Sequence, residues 1–272
     1  MIILLTNDDG VYAPGLRTLK DALEGLGDLW VVAPAAEQSG VSHAFSLVGP
    51  MRVSEVFWNG NRFGLAVNGT PVDAVKLAIR YLLPEMPALV VAGINRGENT
   101  GVDILYSGTV AGAMEGALLG CPAIAISQSL RTPGGGAKRD RWGHKEVDWT
   151  ASIHYARRIC EYVLRKGLPD RVMLNINIPF LPLEQIKGVR LTHQADSFYE
   201  EQIEERRDPR GVGFYWQDWK KKVVDRFEGS DVQAVEEGFV SVTPLHPCLT
   251  NFEALSFLNN GELLNGADEK NR

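Results

Sequence analysis

The sequence predicts an α/β fold: a doubly wound, mostly parallel sheet with helices on both faces and a C-terminal β-hairpin and helix extension. Three observations carry that expectation. Short unbroken apolar runs recur, as in strands covered on both faces. Helical patterns alternate with them through about residue 130. Beyond about residue 180, charged stretches such as EEQIEERRDPRG and QDWKKK, interrupted by Gly and Pro, replace the alternation.

Each element has its own signal. Residues 2–5 (IILL) are the first apolar run. Pro14 opens a helix whose Leu16, Leu19, Leu23 and Leu26 share one face. LWVVAP (29–34) is a second strand. MRVSEVFWNGNRFGLAV (51–67) reads as a hairpin turning at Asn59-Gly60, two residues that tolerate the positive φ of a tight turn. GTPVDAVKLAIRYLL (69–83) starts a helix with Thr70 as cap, Pro71 in first position and Asp73 three residues after the cap. ALVVAG (88–93) is a strand, SGTVAGAMEGALLG (107–120) a small-residue helix and AIAIS (123–127) a strand. Residues 131–146 read as a long polar loop, 148–166 as an amphipathic helix and VMLNINIP (172–179) as a strand. GFVSVTPL (238–245) is a last strand and 249–259 a short helix. The expected organisation is a catalytic core over 1–180, a projecting irregular or hairpin-rich region over 181–237, and a last core strand with its extension over 238–272, within one continuous domain.

Composition narrows the function classes. The chain has 272 residues, 44% of them hydrophobic, enough for a substantial core. Its net charge of −6 and its lack of dense basic stretches argue against gripping a nucleic-acid duplex. Three isolated cysteines, Cys121, Cys160 and Cys248, form no CxxC pair, so a thiolate metal site or disulfide framework is not expected and a reducing cytoplasm is. The N-terminus shows no signal-peptide pattern. The most apolar stretch, 117–126, is broken by Gly120 and Pro122 and is far short of the ~20 residues of a membrane helix.

Ligands in open α/β sheets sit beyond the carboxyl ends of the parallel strands. The first strand ends in Asn7-Asp8-Asp9-Gly10, the second reaches Ser39 and Gly40, and the 88–93 strand ends in Gly93-Ile94-Asn95-Arg96-Gly97-Glu98-Asn99. Side chains alternate along a strand, so Asp8 and Asp9 face one ligand only if Gly10 turns the chain sharply. Two carboxylates that close repel unless a cation lies between them. Asp, Ser and Asn offer hard oxygen donors, which suit magnesium, manganese or calcium. Taken alone, DDG is also a common turn, with Asp8 capping the next helix; the company of Ser39 and Asn95 favours a metal.

YSGTVAGAMEG (106–116) leads a Ser-Gly-Thr loop straight into a helix. There, amides and the helix dipole favour an anion, Ser107 and Thr109 add hydroxyls, and Gly108 permits close approach. Plain capping by Ser107 is the other reading of the same residues. His43, in QSGVSHAFS, lies close in sequence to the proposed site. Asn175 and Asn177 share one strand face and are expected to fix a neighbouring loop. No GxGxxG follows the first strand and no GxSxG is present.

At these residues the chain resembles the SurE (survival protein E) family of 5′/3′-nucleotidases. NDDG with APG, EQSGVSH, NGTPVDAV, GINRGENTG and YSGTVAGAMEG stand in that family's order and spacing, and LNINIP and SDVQAVEEGFVSVTPL continue the match. The resemblance implies a Rossmann-like core and a metal-dependent enzyme that removes phosphate from nucleoside monophosphates. It implies one divalent metal per subunit, magnesium or manganese, on Asp8, Asp9, Ser39 and Asn95, with Asp8 and Asp9 also the candidate catalytic groups. Phosphate contacts would come from Ser107, Gly108 and Thr109, with Asn99 nearby. His43, Gly40 and Asp231 would be accessory. Family members form homodimers or homotetramers through C-terminal extensions. Two departures, Ser230 for a common Thr and Ala74 for a common Cys, leave the metal ligands intact.

Rival readings fit less well. A haloacid-dehalogenase-type phosphatase needs Asp-x-Asp, and here the acids are adjacent. The other is a receiver-like or nucleotide-sensing module that binds without turnover; a receiver needs a phosphorylatable Asp at a central strand end, where this chain has Ala-Pro and Gly-Ile-Asn instead.

Overall fold

The computed structural model describes residues 1–132, 147–224 and 228–259. Most of the loop expected over 131–146, and the tail after residue 259, lie outside them. The chain runs β1 (Ile2–Thr6), α1 (Pro14–Leu23), β2 (Asp28–Pro34), β3 (Val53–Trp58), β4 (Asn61–Val67), α2 (Pro71–Leu77), β5 (Leu89–Arg96), α3 (Gly108–Leu118), β6 (Ala123–Gln128), α4 (Thr150–Lys166), β7 (Met173–Ile178), β8 (Val189–Leu191), β9 (Ser197–Arg207), β10 (Gly213–Val223), α5 (Asp231–Glu236), β11 (Val240–Leu245) and α6 (Phe252–Asn259).

Nine strands form one sheet in the order β3-β4-β2-β1-β5-β6-β7-β11-β8, and β9 pairs with β10 in a separate hairpin. β4, β2, β1, β5, β6 and β7 are parallel. β3 lies antiparallel on β4 and β11 antiparallel on β7, while β8 runs parallel to β11. The winding reverses between β1 and β5, so the crevice expected to take a ligand opens at their carboxyl ends. β8 adds a strand to the main sheet within the stretch expected to be irregular or hairpin-rich, and β11 is the last core strand expected over 238–245.

β1 shows why its sequence is apolar throughout. Ile3 and Leu5 lie on one face, in a core cluster with Leu16, Leu19 and Leu23 of α1 and Ala156 and Val163 of α4. Ile2 and Leu4 lie on the other, in a second cluster with Val75 of α2 and Val110 and Ala113 of α3. Each fully buried Leu or Ile contributes about 1.5–3 kcal/mol through burial, so both faces hold the site's floor firmly. The hairpin turns at Asn59-Gly60, with φ of 48° and 79°. α2 begins with the expected reciprocal capping by Thr70 and Asp73 and passes into a π-helical turn over Ala78–Leu82, so the α-helical part is shorter than the sequence pattern.

Candidate active site

The Asp8-Asp9 turn leaves β1 at the sheet's carboxyl edge. Asn7 Nδ2 donates to the Gly10 carbonyl at 2.9 Å and closes the turn. Gly10 has φ +96°, and a side-chain carbon there would lie 3.2 Å from the Ala36 main chain, so no other residue sits there without strain. Two bonds join this turn to the loop after β2: Gln38 N–H to the Asp8 carbonyl at 2.7 Å and Val11 N–H to the Pro34 carbonyl at 2.8 Å.

Asp8 is 4% exposed. Its carboxylate accepts from the hydroxyl and the N–H of Thr109. A Cβ on Gly108 would come within 2.8 Å of Asp8 Cβ, so the α3 N-terminus can approach this acid only because residue 108 is glycine. The cap of α1 is Ala13, with no side-chain bond. Asp8 therefore does not cap the helix that follows it; it lies at the positive end of α3, 101 residues on.

Asp9 accepts from the Arg96 N–H. Its Oδ2 is buried and has no hydrogen-bond partner among the described residues. Burial, then the charges of Asp8 and Glu37, push its carboxyl up to about 7, against the pull of Arg96. Burial likewise raises Asp8, despite Thr109. Two buried acids driven toward protonation, one with an unmatched oxygen, fit a hard divalent cation, which would supply the missing positive charge. No group of three His, Cys, Asp or Glu side chains suited to a metal occurs among the described residues, so any such ion here needs hydroxyl, amide or water oxygens as well.

Ser39 and Asn95 stand at the neighbouring strand ends. Ser39 is exposed, next in chain to Gln38, and its hydroxyl donates to Glu37 at 2.7 Å. Asn95 is half-buried; its Nδ2 donates to the Gly97 carbonyl at 2.9 Å, which leaves Oδ1 as its acceptor. It adjoins Arg96, whose amide reaches Asp9. Gly40 is exposed with φ +73°.

At the start of α3, Ser107 accepts from the Val110 N–H at 3.1 Å, the capping role foreseen as its other reading. The Ser107 N–H donates to the Asp103 carbonyl at 3.0 Å and the Thr109 N–H to Asp8. Gly108 carries the remaining amide of the turn. Asn99 is buried: its Nδ2 donates to Ser127 Oγ at 2.8 Å, and its main chain is held by Asn177 (2.7 and 3.1 Å) and Asn175 (2.8 Å). The β7 asparagines thus fix a loop, as expected. His43 Nε2 lies 2.9 Å from Glu115 Oε2 on α3. Asp231 is buried away from the acid pair; it accepts from the amides of Gly101 (2.9 Å) and Ala195 (3.0 Å) and so pins the same loop.

Sequence reasoning missed Glu37, Arg96 and Glu115. Glu37 stood in the quoted EQSG stretch, yet nothing there tells that its charge bears on both aspartates. It also ended the strand too soon. β5 runs to Arg96, with Gly93 and Ile94 opposite Ile126 alone, a bulge that re-aims Asn95 toward the carboxyl edge.

A family model described as survival protein SurE matches residues 3–201. The 5′-nucleotidase SurE of Heliobacterium modesticaldum is 42% identical over 94% of this chain and 89% of its own length. That of Geotalea uraniireducens is 44% identical over 97% of this chain and all of its own length. The crystal structure of the SurE protein from Aquifex aeolicus matches with a TM-score of 0.78 at 38% identity, covering 97% of this chain and 100% of that one. On the extent and identity of these matches, the chain belongs to the SurE family.

Proposed function

We propose that this chain is a metal-dependent phosphomonoesterase that hydrolyses nucleoside 5′-monophosphates, and 3′-monophosphates, to nucleoside and inorganic phosphate. The relatives' name, 5′-nucleotidase, supports the substrate class. The observation that carries the reading is the buried, unpartnered Asp9 Oδ2 beside Asp8 at the N-terminus of α3. Asp8, Asp9, Ser39 and Asn95 would hold one Mg²⁺ or Mn²⁺ per subunit. Such an ion, when bound, offsets the negative charge of the phosphoryl group. The Gly108 amide, the Ser107 hydroxyl and the α3 dipole receive phosphoryl oxygens, while Thr109, whose hydroxyl is given to Asp8, ties that acid to the cradle and Asn99 braces the loop behind it. Asp9 orients a water in line and takes its proton as the new O–P bond forms; the ester bond breaks and the departing nucleoside oxygen takes up a proton from water. Asp8, engaged by Thr109 through two bonds, is the poorer acceptor.

The remaining proposals concern setting. Cys121 and Cys160 are buried and unpaired, and Cys248 is free and exposed, which suits a reducing cytoplasm. No helix among the described residues is long and apolar enough to cross a membrane. Exposed Ile203, Tyr215 and Trp216 on the β9–β10 hairpin and Phe252 and Phe257 on α6 support a homodimer or homotetramer.

The test is phosphate release from a panel of 5′- and 3′-nucleoside monophosphates with Mg²⁺ or Mn²⁺. Release that stops on adding chelator is expected. Nucleotide binding with no release under any metal would make the chain a binding module instead.

A further inference from the structure

The segment between Asn99 and Ser107 links the two halves of the candidate site, and much of what holds it comes from the hairpin far along the chain. Asp103 is its pivot. The Asp103 carbonyl accepts from the amides of Tyr106 and Ser107, each at 3.0 Å, and so sets the turn that opens α3. Its carboxylate is gripped from β10 and β9: Lys221 Nζ donates to Oδ2 and the Tyr199 hydroxyl to Oδ1. Lys221 also donates to the Thr100 carbonyl at 3.2 Å and hydroxyl at 3.0 Å. Above the pair, the Tyr199 and Tyr106 ring centres lie 5.9 Å apart.

This pair differs from the other charges of the hairpin. The Lys221 and Asp103 side chains are 9% and 12% exposed. The next residue, Lys222, pairs with Glu200 at 3.1 Å with both side chains largely in solvent. An exposed pair contributes little, whereas removing one partner of a buried pair leaves an uncompensated charge. Burying a lysine at the root of a hairpin therefore has a consequence for Asp103 that no surface pair has. Without Lys221, the Asp103 carboxylate would move toward water and take with it the carbonyl that holds Ser107.

We propose that Lys221 and Tyr199 are positioning residues: through Asp103 they present the Tyr106–Gly108 turn to the phosphoryl group. The inference rests on the phosphoryl-binding reading above. Neither residue touches the reacting atoms, so their loss weakens anion binding more than it slows the bond-breaking step.

The experiment compares Lys221→Met, Tyr199→Phe and the Asp103→Asn/Lys221→Met pair with Lys222→Met as the surface control. KM and kcat for a nucleoside monophosphate are measured alongside the Kd of inorganic phosphate by calorimetry with Mn²⁺ present. Lys221→Met is expected to raise KM and the phosphate Kd about tenfold, the equivalent of roughly one buried charged hydrogen bond, with kcat within about threefold. The double variant, which leaves no orphaned charge, is expected to recover part of that loss. Lys222→Met should match wild type. If Lys221→Met melts like wild type yet leaves KM and the phosphate Kd unchanged, or lowers kcat alone, the proposal is overturned. Should Lys221→Met fail to fold, Tyr199→Phe, which keeps the ion pair, is expected to raise both constants by a smaller factor, and no change there overturns the proposal equally. A wild-type chain that binds phosphate but releases none from nucleotides would remove the nucleotidase reading alone, and the phosphate titration would still decide this one.

Discussion

At the scale of single residues, the candidate site sets stability against function, and Asp9 is where the conflict concentrates. Its folded carboxyl sits near 7 against an ordinary value of 3.8. A raised acid contributes stability that is present below the unfolded value and is lost as pH rises toward the folded one. The metal-free protein is therefore expected to lose stability between about pH 4 and 7 from this group. Asp9→Asn removes that loss. It should melt a few degrees higher than wild type in chelator at pH 8, equivalent to about 1–2 kcal/mol, while turnover falls by about 10³ or more. Added Mn²⁺ should raise the wild-type Tm and leave the variant's nearly unmoved. A variant that melts lower in chelator, or still gains from Mn²⁺, would contradict this assignment. The acids themselves were legible in the sequence because two adjacent charges after a buried strand need an explanation. Glu37 and Arg96 were not, because their influence comes through space and neither lies in a pattern that fixes where its charge falls.

At the scale of elements, local chemistry was readable wherever it acts over three or four residues. The start of α2 is the clearest case. Thr70 and Asp73 cap each other's amides as their spacing required, and the Asn59-Gly60 turn closes its hairpin as foreseen. Asp73 then does more than cap. Ser46, from the loop after β2, donates its amide at 2.9 Å and hydroxyl at 2.7 Å to the same carboxylate. Burial would raise this acid, but the bonds from Ser46 and Thr70 outweigh it and hold it below its ordinary value. A depressed acid stabilises above its unfolded pKa, and that contribution is lost as pH falls through the folded one. Asp73→Ala should cost about 1–2 kcal/mol at pH 7. The gap to wild type should shrink below about pH 4; urea titrations at several pH values measure it, and a gap independent of pH would refute the charge-based account. What no local rule disclosed is the bulge in β5. Its extra residue is defined by the register with β6, a non-local property, and the apolar run reads the same with or without it.

At the scale of the whole molecule, the residues that would do chemistry lie between 8 and 109, while those that hold them lie much further on. Asn175 and Asn177 grip Asn99, Asp231 grips Gly101, and Lys221 grips Asp103. The sequence showed where the alternation of strand and helix stops, but not that the later segments return to the site. β11 shares five residue pairs with β7 and runs against the parallel grain, and β8 covers its far side. The pattern of apolar residues specifies that a strand is buried, not which neighbour it takes or in which direction. A chain of residues 1–180 would leave the β7 edge open, with its ladder groups unpaired. It would also lose Asp231 and Lys221, so the amide of Gly101 and the carboxylate of Asp103 would have no acceptor or donor. The six parallel strands and their helices could still collapse around the apolar faces of β1 and β6. We expect that fragment to show helical circular dichroism but no cooperative melt, and no Mn²⁺-dependent phosphate release. Supplying residues 181–272 as a separate chain should restore some activity if the second half acts by docking onto β7. A fragment 1–180 that melts cooperatively and turns over substrate at the full-length rate would mean that the later segments ornament the site rather than hold it.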